Sequence, residues 1–79
     1  MEVSFYLYFA DREDAGAAGN MLRTDGFAVD VRESADEINW LVLAEAEREP
    51  QELDDLEGRM YALAEEFGGE YDGYERSVR

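Results

Sequence analysis

The sequence predicts an α+β fold in which a four-stranded antiparallel sheet carries two helices on one face. Three observations lead to this fold. Strand-like runs alternate with two helical stripes, and right-handed crossovers place both stripes on the same side of the sheet. The 79 residues form one domain, 1–79. The helices are predicted within 11–26 and 50–67. The strands are predicted over 3–9, 27–32, 39–44 and 70–78.

The first strand is predicted because β-branched and aromatic residues dominate segment 3–9. Its two-residue period places Tyr6 and Tyr8 on one face. The other face is apolar and consists of Val3, Phe5, Leu7 and Phe9. A strand with apolar side chains on one face and tyrosines on the other is expected to be central in the sheet.

The first helix is predicted to begin after Asp11, which serves as N-cap, with Asp14 completing a capping box in the place that Glu usually takes. Gly26 is expected to end it in the left-handed conformation. Small residues dominate its stripe, so we expect the helix to lie close against the sheet. The stripe consists of Ala15, Ala18, Gly19 and Leu22.

The two middle strands differ in pattern. The run 27–32 alternates cleanly, and Phe27, Val29 and Val31 are predicted to point inward. The run 39–44 is apolar on both faces, which is typical of a central strand. Either Trp40 with Val42 or Leu41 with Leu43 must then point away from the helices, and we expect Trp40 to do so.

The second helix is predicted to begin at Pro50 and to bury a regular apolar stripe. Gly68 is expected to end it with a left-handed cap, and Gly69 to allow a tight turn into the last strand. Gly73 within that strand predicts a β-bulge or a close backbone approach. The completed order is the ferredoxin-like plan, in which the first and third strands are central.

The closing segment also carries the most specific candidate surface in the sequence. Tyr71 and Tyr74 alternate there with Asp72 and Glu75, which predicts a shaped, acidic and aromatic edge. Fixing the last strand in place is the first interpretation of its glycines, and a ligand site is the second.

Charge and composition exclude several classes of function. The chain has 21 acidic and seven basic residues, a formal charge of −14, no Cys and no His. Binding to nucleic acid or to an anionic membrane is therefore not expected, because both draw on lysine and arginine. No cofactor or metal site is expected, and the acidic runs on the predicted helices are interpreted as solvated faces. With no apparent signal peptide or membrane span, we expect a cytoplasmic protein.

Every cation in the chain is arginine, and lysine is absent. Molar salt selects such surfaces, since it shortens the screening length to about 3 Å and suppresses carboxylate repulsion. We therefore predict that the source is an extreme halophile. The alternative is a GC-rich genome combined with a functional acidic face.

The sheet face without helices is the main candidate surface, and Tyr6, Tyr8 and Trp40 are its predicted aromatic residues. Three interpretations stay open: the aromatics simply cover the sheet, for example within a homodimer; they bind a protein partner; or they stack on bases, which the charge disfavours. Catalysis is not expected, because no nucleophile and base are arranged for it.

Several groups of residues together resemble a known family. The distinctive group is Gly68-Gly69-Glu70-Tyr71-Asp72-Gly73-Tyr74-Glu75, with Tyr74 where the family often has Trp. The other groups are Tyr8-Phe9, Asp14-Ala15, Leu22, Gly26-Phe27, Trp40-Leu41-Val42-Leu43 and Ala64-Glu65-Glu66. They make the chain similar to the family of the regulator of ribonuclease E activity B, an inhibitor of ribonuclease E.

The resemblance implies a ferredoxin-like fold and a non-catalytic regulator. It implies binding to a ribonuclease E/G-like endonuclease, and this binding slows RNA decay without any chemistry by the inhibitor. The alternative that the residues leave open is a self-associating module that uses the open sheet face or an edge strand.

Overall fold

A computed structural model describes residues 1–77, and its elements follow the predicted order. The strands are β1 (Glu2–Phe9), β2 (Ala28–Glu33), β3 (Trp40–Glu47) and β4 (Glu70–Ser77). The helices are α1 (Arg12–Thr24) and α2 (Leu53–Glu66), and a 3₁₀ turn (Pro50–Glu52) leads into α2. All strand pairs are antiparallel in the order β2-β3-β1-β4, which confirms the ferredoxin-like arrangement with β1 and β3 at the centre.

The core lies between the helices and one face of the sheet, which we call the covered face. α1 packs on β2 and β3, and α2 packs on β4 and β1. The inward residues of β1 are fully buried, and Phe5 meets the Phe27 ring edge-on at a centroid distance of 5.9 Å. Each such Phe or Leu side chain contributes about 1.5–3 kcal/mol through removal from water, so β1 anchors the domain.

Small residues let α1 approach β2 closely, as predicted. A Cβ at Gly19 would lie 3.1 Å from Cγ2 of Val31 and 3.2 Å from Cγ1 of Val29. Ala15 and Ala18 on the same stripe are fully buried. A larger residue at position 19 would push the helix away from the sheet.

Both helices end in Schellman caps formed by the predicted glycines. Gly26 has φ 94° and Gly68 has φ 72°, which is the left-handed region that glycine tolerates best. After α1, the Phe27 N–H donates to the Leu22 carbonyl at 3.0 Å; after α2, the Gly69 N–H donates to the Ala64 carbonyl at 2.7 Å.

The beginnings of the helices differ from expectation. Asp11 is the N-cap of α1, but its side chain makes no capping hydrogen bond, so the predicted capping box with Asp14 was wrong. Aspartate is one methylene shorter than the glutamate such a box requires, and it does not reach back. A capping box does form at the 3₁₀ turn, where the Glu49 N–H donates to Oε2 of Glu52 at 2.8 Å.

The orientation of β3 is the main correction to the sequence analysis. Trp40 pairs with Phe9 and therefore shares the covered face, where it packs against the core. The prediction that Trp40 points away from the helices was wrong. Leu41 and Leu43 point there instead, because they pair with Tyr8 and Tyr6.

Candidate functional site

The face of the sheet turned away from the helices, which we call the open face, consists of every second residue of each strand. Its register follows from two central pairs, Tyr6 with Leu43 and Tyr8 with Leu41. Outward from these, Leu43 lies opposite Asp30 on the edge strand β2. The further open-face residues are Glu2, Ser4, Ala28, Arg32, Glu45, Glu47, Glu70, Gly73, Glu75 and Ser77.

An apolar strip of four side chains crosses the centre of the open face. Tyr6, Tyr8 and Leu43 are half-buried, and Leu41 is only 8% exposed although neither α1 nor α2 lies on its side of the sheet. The neighbouring side chains of the strip therefore shield one another. A contiguous strip of this kind at the centre of a sheet face resembles the apolar core of a protein interface more than a scatter of single exposed residues.

Carboxylates surround the strip, and they are distributed unevenly. Arg32 is the only arginine on the open face within residues 1–77; it lies at the β2 edge, where its Nε is 3.5 Å from Oδ2 of Asp30. At the opposite edge, β4 contributes Glu70, Asp72 and Glu75. Within residues 1–77, the charged side chains on the β1–β4 half of the open face are thus all acidic.

A β-bulge in β4 creates a depression beside Tyr6. The register shifts so that Tyr6 lies opposite Gly73 and Leu7 opposite Tyr71, which leaves Asp72 as the extra residue. Gly73 has φ 111°, so the bulge confirms the prediction made from this glycine. The resulting hollow, which we call the bulge hollow, has a volume of about 320 Å³. It is lined by Tyr6, Tyr8, Asp72, Gly73, Tyr74 and Glu75.

A second depression, the glycine hollow, shares Tyr8 with the first. Its volume is about 310 Å³, and its lining residues are Tyr8, Ala10, Asn39, Gly68, Gly69 and Glu70. Gly69 must lack a side chain here, because a Cβ would collide with the Phe9 ring and with the Tyr8 carbonyl oxygen. The two hollows together form a shallow, aromatic and acidic trough along the β1–β4 side of the open face.

Tyr6 is held beside a carboxylate in the bulge hollow. Its Oη donates to Oε2 of Glu75 at 3.3 Å. Partial desolvation, followed by the negative charge of Glu75, raises the pKa of Tyr6 above its usual value. The phenol therefore stays protonated at neutral pH and acts as a hydrogen-bond donor on this surface.

The structure separates the predicted site residues into two groups. Tyr6, Tyr8, Asp72, Tyr74 and Glu75 meet at the bulge hollow, although the Tyr74 ring also packs on Phe5 at a centroid distance of 5.8 Å. Gly73 lines the bulge hollow, and Gly68 and Gly69 line the glycine hollow.

Trp40 and Tyr71 lie on the covered face instead. The Arg12 guanidinium lies over the Trp40 ring at 5.4 Å. Tyr71 is buried, and its Oη donates to Oε2 of Glu57 at 2.9 Å. Both side chains thus belong to the packing beneath the helices and are absent from the open-face surface.

Sequence reasoning did not place Leu41 and Leu43 on the open face, although the chain holds the necessary signal. Glu45 and Glu47 follow at the same two-residue spacing, and a carboxylate on β3 must face solvent. Because side chains two residues apart on a strand point to the same side, Leu41 and Leu43 must lie on the open face together with Glu45 and Glu47.

The described residues offer little for metal or membrane chemistry. Across residues 1–77, no group of three or more acidic side chains is placed so that it could hold a metal ion. Neither helix in that range has the length and apolar character that crossing a membrane requires. The open face, with its aromatic centre and acidic rim, is suited to noncovalent binding.

Comparison with protein families matches the chain to one of them. The family model described as "Regulator of ribonuclease activity B" matches residues 1–75, which covers both central strands, both helices and β4 up to Glu75. Among curated proteins, none matches the chain significantly.

Proposed function

We propose that this chain, which belongs to the family of regulators of ribonuclease activity B, is a non-catalytic inhibitor that binds a ribonuclease E/G-like endonuclease through its open face. The observation that supports this most directly is the uncovered apolar strip bordered by carboxylates. The opposite face of the same sheet packs beneath two helices.

The composition of the open face fits a protein partner with a basic surface. Aromatic and aliphatic side chains at the centre can anchor an interface, and the carboxylates around them favour cationic partners. The same carboxylates repel RNA phosphates, so direct RNA binding is disfavoured. The partner surface that fits best is a basic segment that would otherwise hold RNA.

Inhibition then needs no chemistry by this chain. When the carboxylates occupy the basic segment of the endonuclease, RNA loses its contacts there and cleavage slows. In molar salt, electrostatic attraction reaches only about 3 Å, so the apolar strip must contribute much of the affinity. Tyr8 is the natural anchor, since it borders both hollows.

Capture from the native lysate at high salt tests the proposal. The wild-type chain is expected to retain a ribonuclease or RNA-processing protein and to slow RNA cleavage by that protein when both are purified. Tyr8→Ala is expected to weaken binding about 30-fold, as loss of an interface anchor worth about 2 kcal/mol would. Tyr61→Ala on α2 is the matched control, because Tyr61 is 59% exposed on the helix side.

The proposed function would be contradicted if no RNA-related protein were retained. It would also be contradicted if Tyr8→Ala bound as tightly as the wild type while Tyr61→Ala lost binding.

Self-association through the open face is the competing outcome. It would bring the acidic β4 edge of each copy close to carboxylates of the other copy, and this repulsion between like charges is unfavourable. Light scattering at molar salt is therefore expected to show a monomer.

A further inference from the structure

The bulge hollow has more chemical detail than a general docking surface needs. Three tyrosines and two carboxylate residues line it, and a glycine leaves out the side chain that would otherwise fill it. Resting on the proposed function, we propose that this hollow receives an arginine side chain of the partner. We further propose that the two hollows together recognise an extended segment with arginines at alternate positions.

The backbone explains why the hollow exists. In an ordinary antiparallel pair, a β4 side chain would lie opposite Tyr6 and cover its ring from that side. Gly73 lies at that position, so among residues 1–77 the only side chain directly opposite Tyr6 is that of Leu43 on β3, and Glu75 of β4 meets Tyr6 at its Oη. The hollow of about 320 Å³ is at the lower end of the size range of ligand pockets, about 300–1,000 Å³.

The negative charges in the hollow favour a cationic ligand. Glu75 accepts one hydrogen bond from Tyr6 and keeps further lone pairs for a partner. Asp72 is exposed, and within residues 1–77 no arginine contributes to the lining of either hollow. The glycine hollow adds Glu70 at its own rim.

Arginine fits this combination better than lysine or a free metal ion. A guanidinium is planar, stacks on aromatic rings and offers five N–H donors that match carboxylates two at a time. An ammonium group is more strongly hydrated and cannot stack in the same way. Metal ions favour three or more oxygen ligands, and the described residues provide no such group.

The distance between the two hollows determines how far apart two arginines of the partner must lie to occupy both. Tyr6 borders the bulge hollow, Tyr8 borders both, and the two residues are two positions apart along β1. Two residues of a strand span about 6.6 Å, which is also the distance between alternate side chains of an extended peptide. An Arg-x-Arg segment lying along β1 would therefore place one guanidinium in each hollow.

Synthetic peptides test the proposal directly at molar KCl, where general charge attraction is screened. The probes are a capped nine-residue peptide with arginine at every second position, the same peptide with lysine, and one with arginine at every third position. Binding is followed by amide chemical shifts and by calorimetry. The alternating arginine peptide is expected to bind about tenfold more tightly than either of the others, and its shifts are expected at Gly73 and Gly69.

Matched single substitutions locate the site. Asp72→Asn and Glu75→Gln each remove one charge from the hollow and are expected to weaken the alternating arginine peptide about five- to tenfold. Glu65→Gln and Asp54→Asn remove the same charge from the exposed surface of α2 and are expected to have no effect. All four positions are exposed, and circular dichroism verifies that each variant is folded.

The outcomes separate this inference from the proposed function. Equal affinity for arginine and lysine peptides, or equal weakening by the α2 substitutions, would overturn the arginine hollow even if the endonuclease is still captured. If no endonuclease is captured but the alternating arginine peptide shifts Gly73 selectively, the hollow stands and the proposed function fails.

Discussion

Each face of the sheet carries a tyrosine that donates a hydrogen bond to a glutamate, and the two pairs differ in what surrounds them. On the covered face, Tyr71 is buried and its Oη lies 2.9 Å from Oε2 of Glu57. On the open face, Tyr6 is half-buried and its Oη lies 3.3 Å from Oε2 of Glu75. The same two residue types thus form a packed structural contact on one side and an accessible surface contact on the other.

The cause of the difference is the second layer. The helix α2 provides Glu57, and it also places the Tyr61 ring edge-on against Tyr71 at a centroid distance of 4.8 Å. Within residues 1–77 no helix lies over the open face, so Glu75 and Tyr6 are accessible to solvent on one side. A buried pair that loses one partner lowers the stability of the domain, whereas an exposed pair can exchange water for a partner at little cost.

The largest effect is expected where the two faces meet, at Gly69. A Cβ there would collide with the Phe9 ring of the covered face and with the Tyr8 carbonyl. Gly69→Ala is therefore expected to lower the free energy of unfolding by about 3 kcal/mol, or to prevent folding. Urea denaturation at molar KCl measures it.

The matched control is Gly58→Ala in α2, where a Cβ would meet nothing within 4 Å. This change is expected to raise the free energy of unfolding by about 0.5–1 kcal/mol, because alanine favours the helix. If the two alanine variants were equally stable, the close contact at Gly69 would be refuted.

Salt is expected to have the next largest effect, because it acts on exposed carboxylates and leaves the buried Tyr71–Glu57 pair unchanged. We infer that the charge of −14 reflects life in molar salt. Raising KCl from 0.1 to 2 M is expected to add about 2 kcal/mol to the free energy of unfolding, a rise in Tm of roughly 8–16 °C. Calorimetric melting measures it.

A variant with fewer charges serves as the control for the salt effect. Neutralising the exposed α2 carboxylates 54, 55, 65 and 66 to their amides should make the dependence on KCl shallower. A wild-type chain that melts at the same temperature in low and molar salt would contradict the halophilic origin.

The elements of the fold were predictable from the sequence because their signals are local. Alternation identified β1, and the turn conformations that only glycine adopts easily identified the caps at Gly26 and Gly68 and the bulge at Gly73. The central position of β1 and β3 followed from their apolar composition.

The candidate site was predictable only in part because it depends on register. Segment 39–44 is apolar on both faces, so its own pattern could not orient Trp40; the orientation follows only from Glu45 and Glu47 further along β3 or from the pairing with β1. The hollows arise from the offset between β1 and β4, two strands at opposite ends of the chain. No local pattern reports which β4 residue lies opposite Tyr6.

A smaller effect distinguishes the two tyrosines directly. Tyr71→Phe leaves the half-buried Glu57 carboxylate without its donor and is expected to lower the free energy of unfolding by about 1 kcal/mol. Tyr6→Phe removes an exposed hydrogen bond and is expected to leave the free energy of unfolding unchanged at neutral pH. Urea denaturation of both variants at pH 7.5 measures the difference, and equal losses would contradict the contrast between the faces.

The same pair predicts a dependence on alkaline pH. Burial, and then the hydrogen bond to Glu57, raises the pKa of Tyr71 above the usual 10.0. The folded state therefore keeps the phenolic proton while the unfolded chain loses it near pH 10, and this contribution to stability is complete below pH 10 and is lost above it. The decline in stability above pH 10 should be shallower in Tyr71→Phe than in the wild type.

The smallest effect is expected in the loop between β2 and β3, which adjoins the glycine hollow through Asn39. The Asp36 carboxylate accepts hydrogen bonds from the Ser34 hydroxyl and from the N–H groups of Ile38 and Asn39, the latter two at 3.0 and 3.2 Å. These bonds, the Ser34 hydroxyl first, lower the pKa of Asp36 from 3.8 to about 2. A single carboxylate thus orders the loop.

Asp36→Ala is expected to speed hydrogen exchange at the Ile38 and Asn39 amides about fivefold and to lower the urea midpoint only slightly. Asp36→Asn keeps one acceptor oxygen and should give a smaller increase. Because the folded-state pKa is lowered, the stabilising contribution of Asp36 is present above about pH 4 and is lost as the pH falls through 2. Unchanged hydrogen exchange in Asp36→Ala would show that strand pairing alone fixes the loop. Asp36 would then make no contribution to the rim of the glycine hollow.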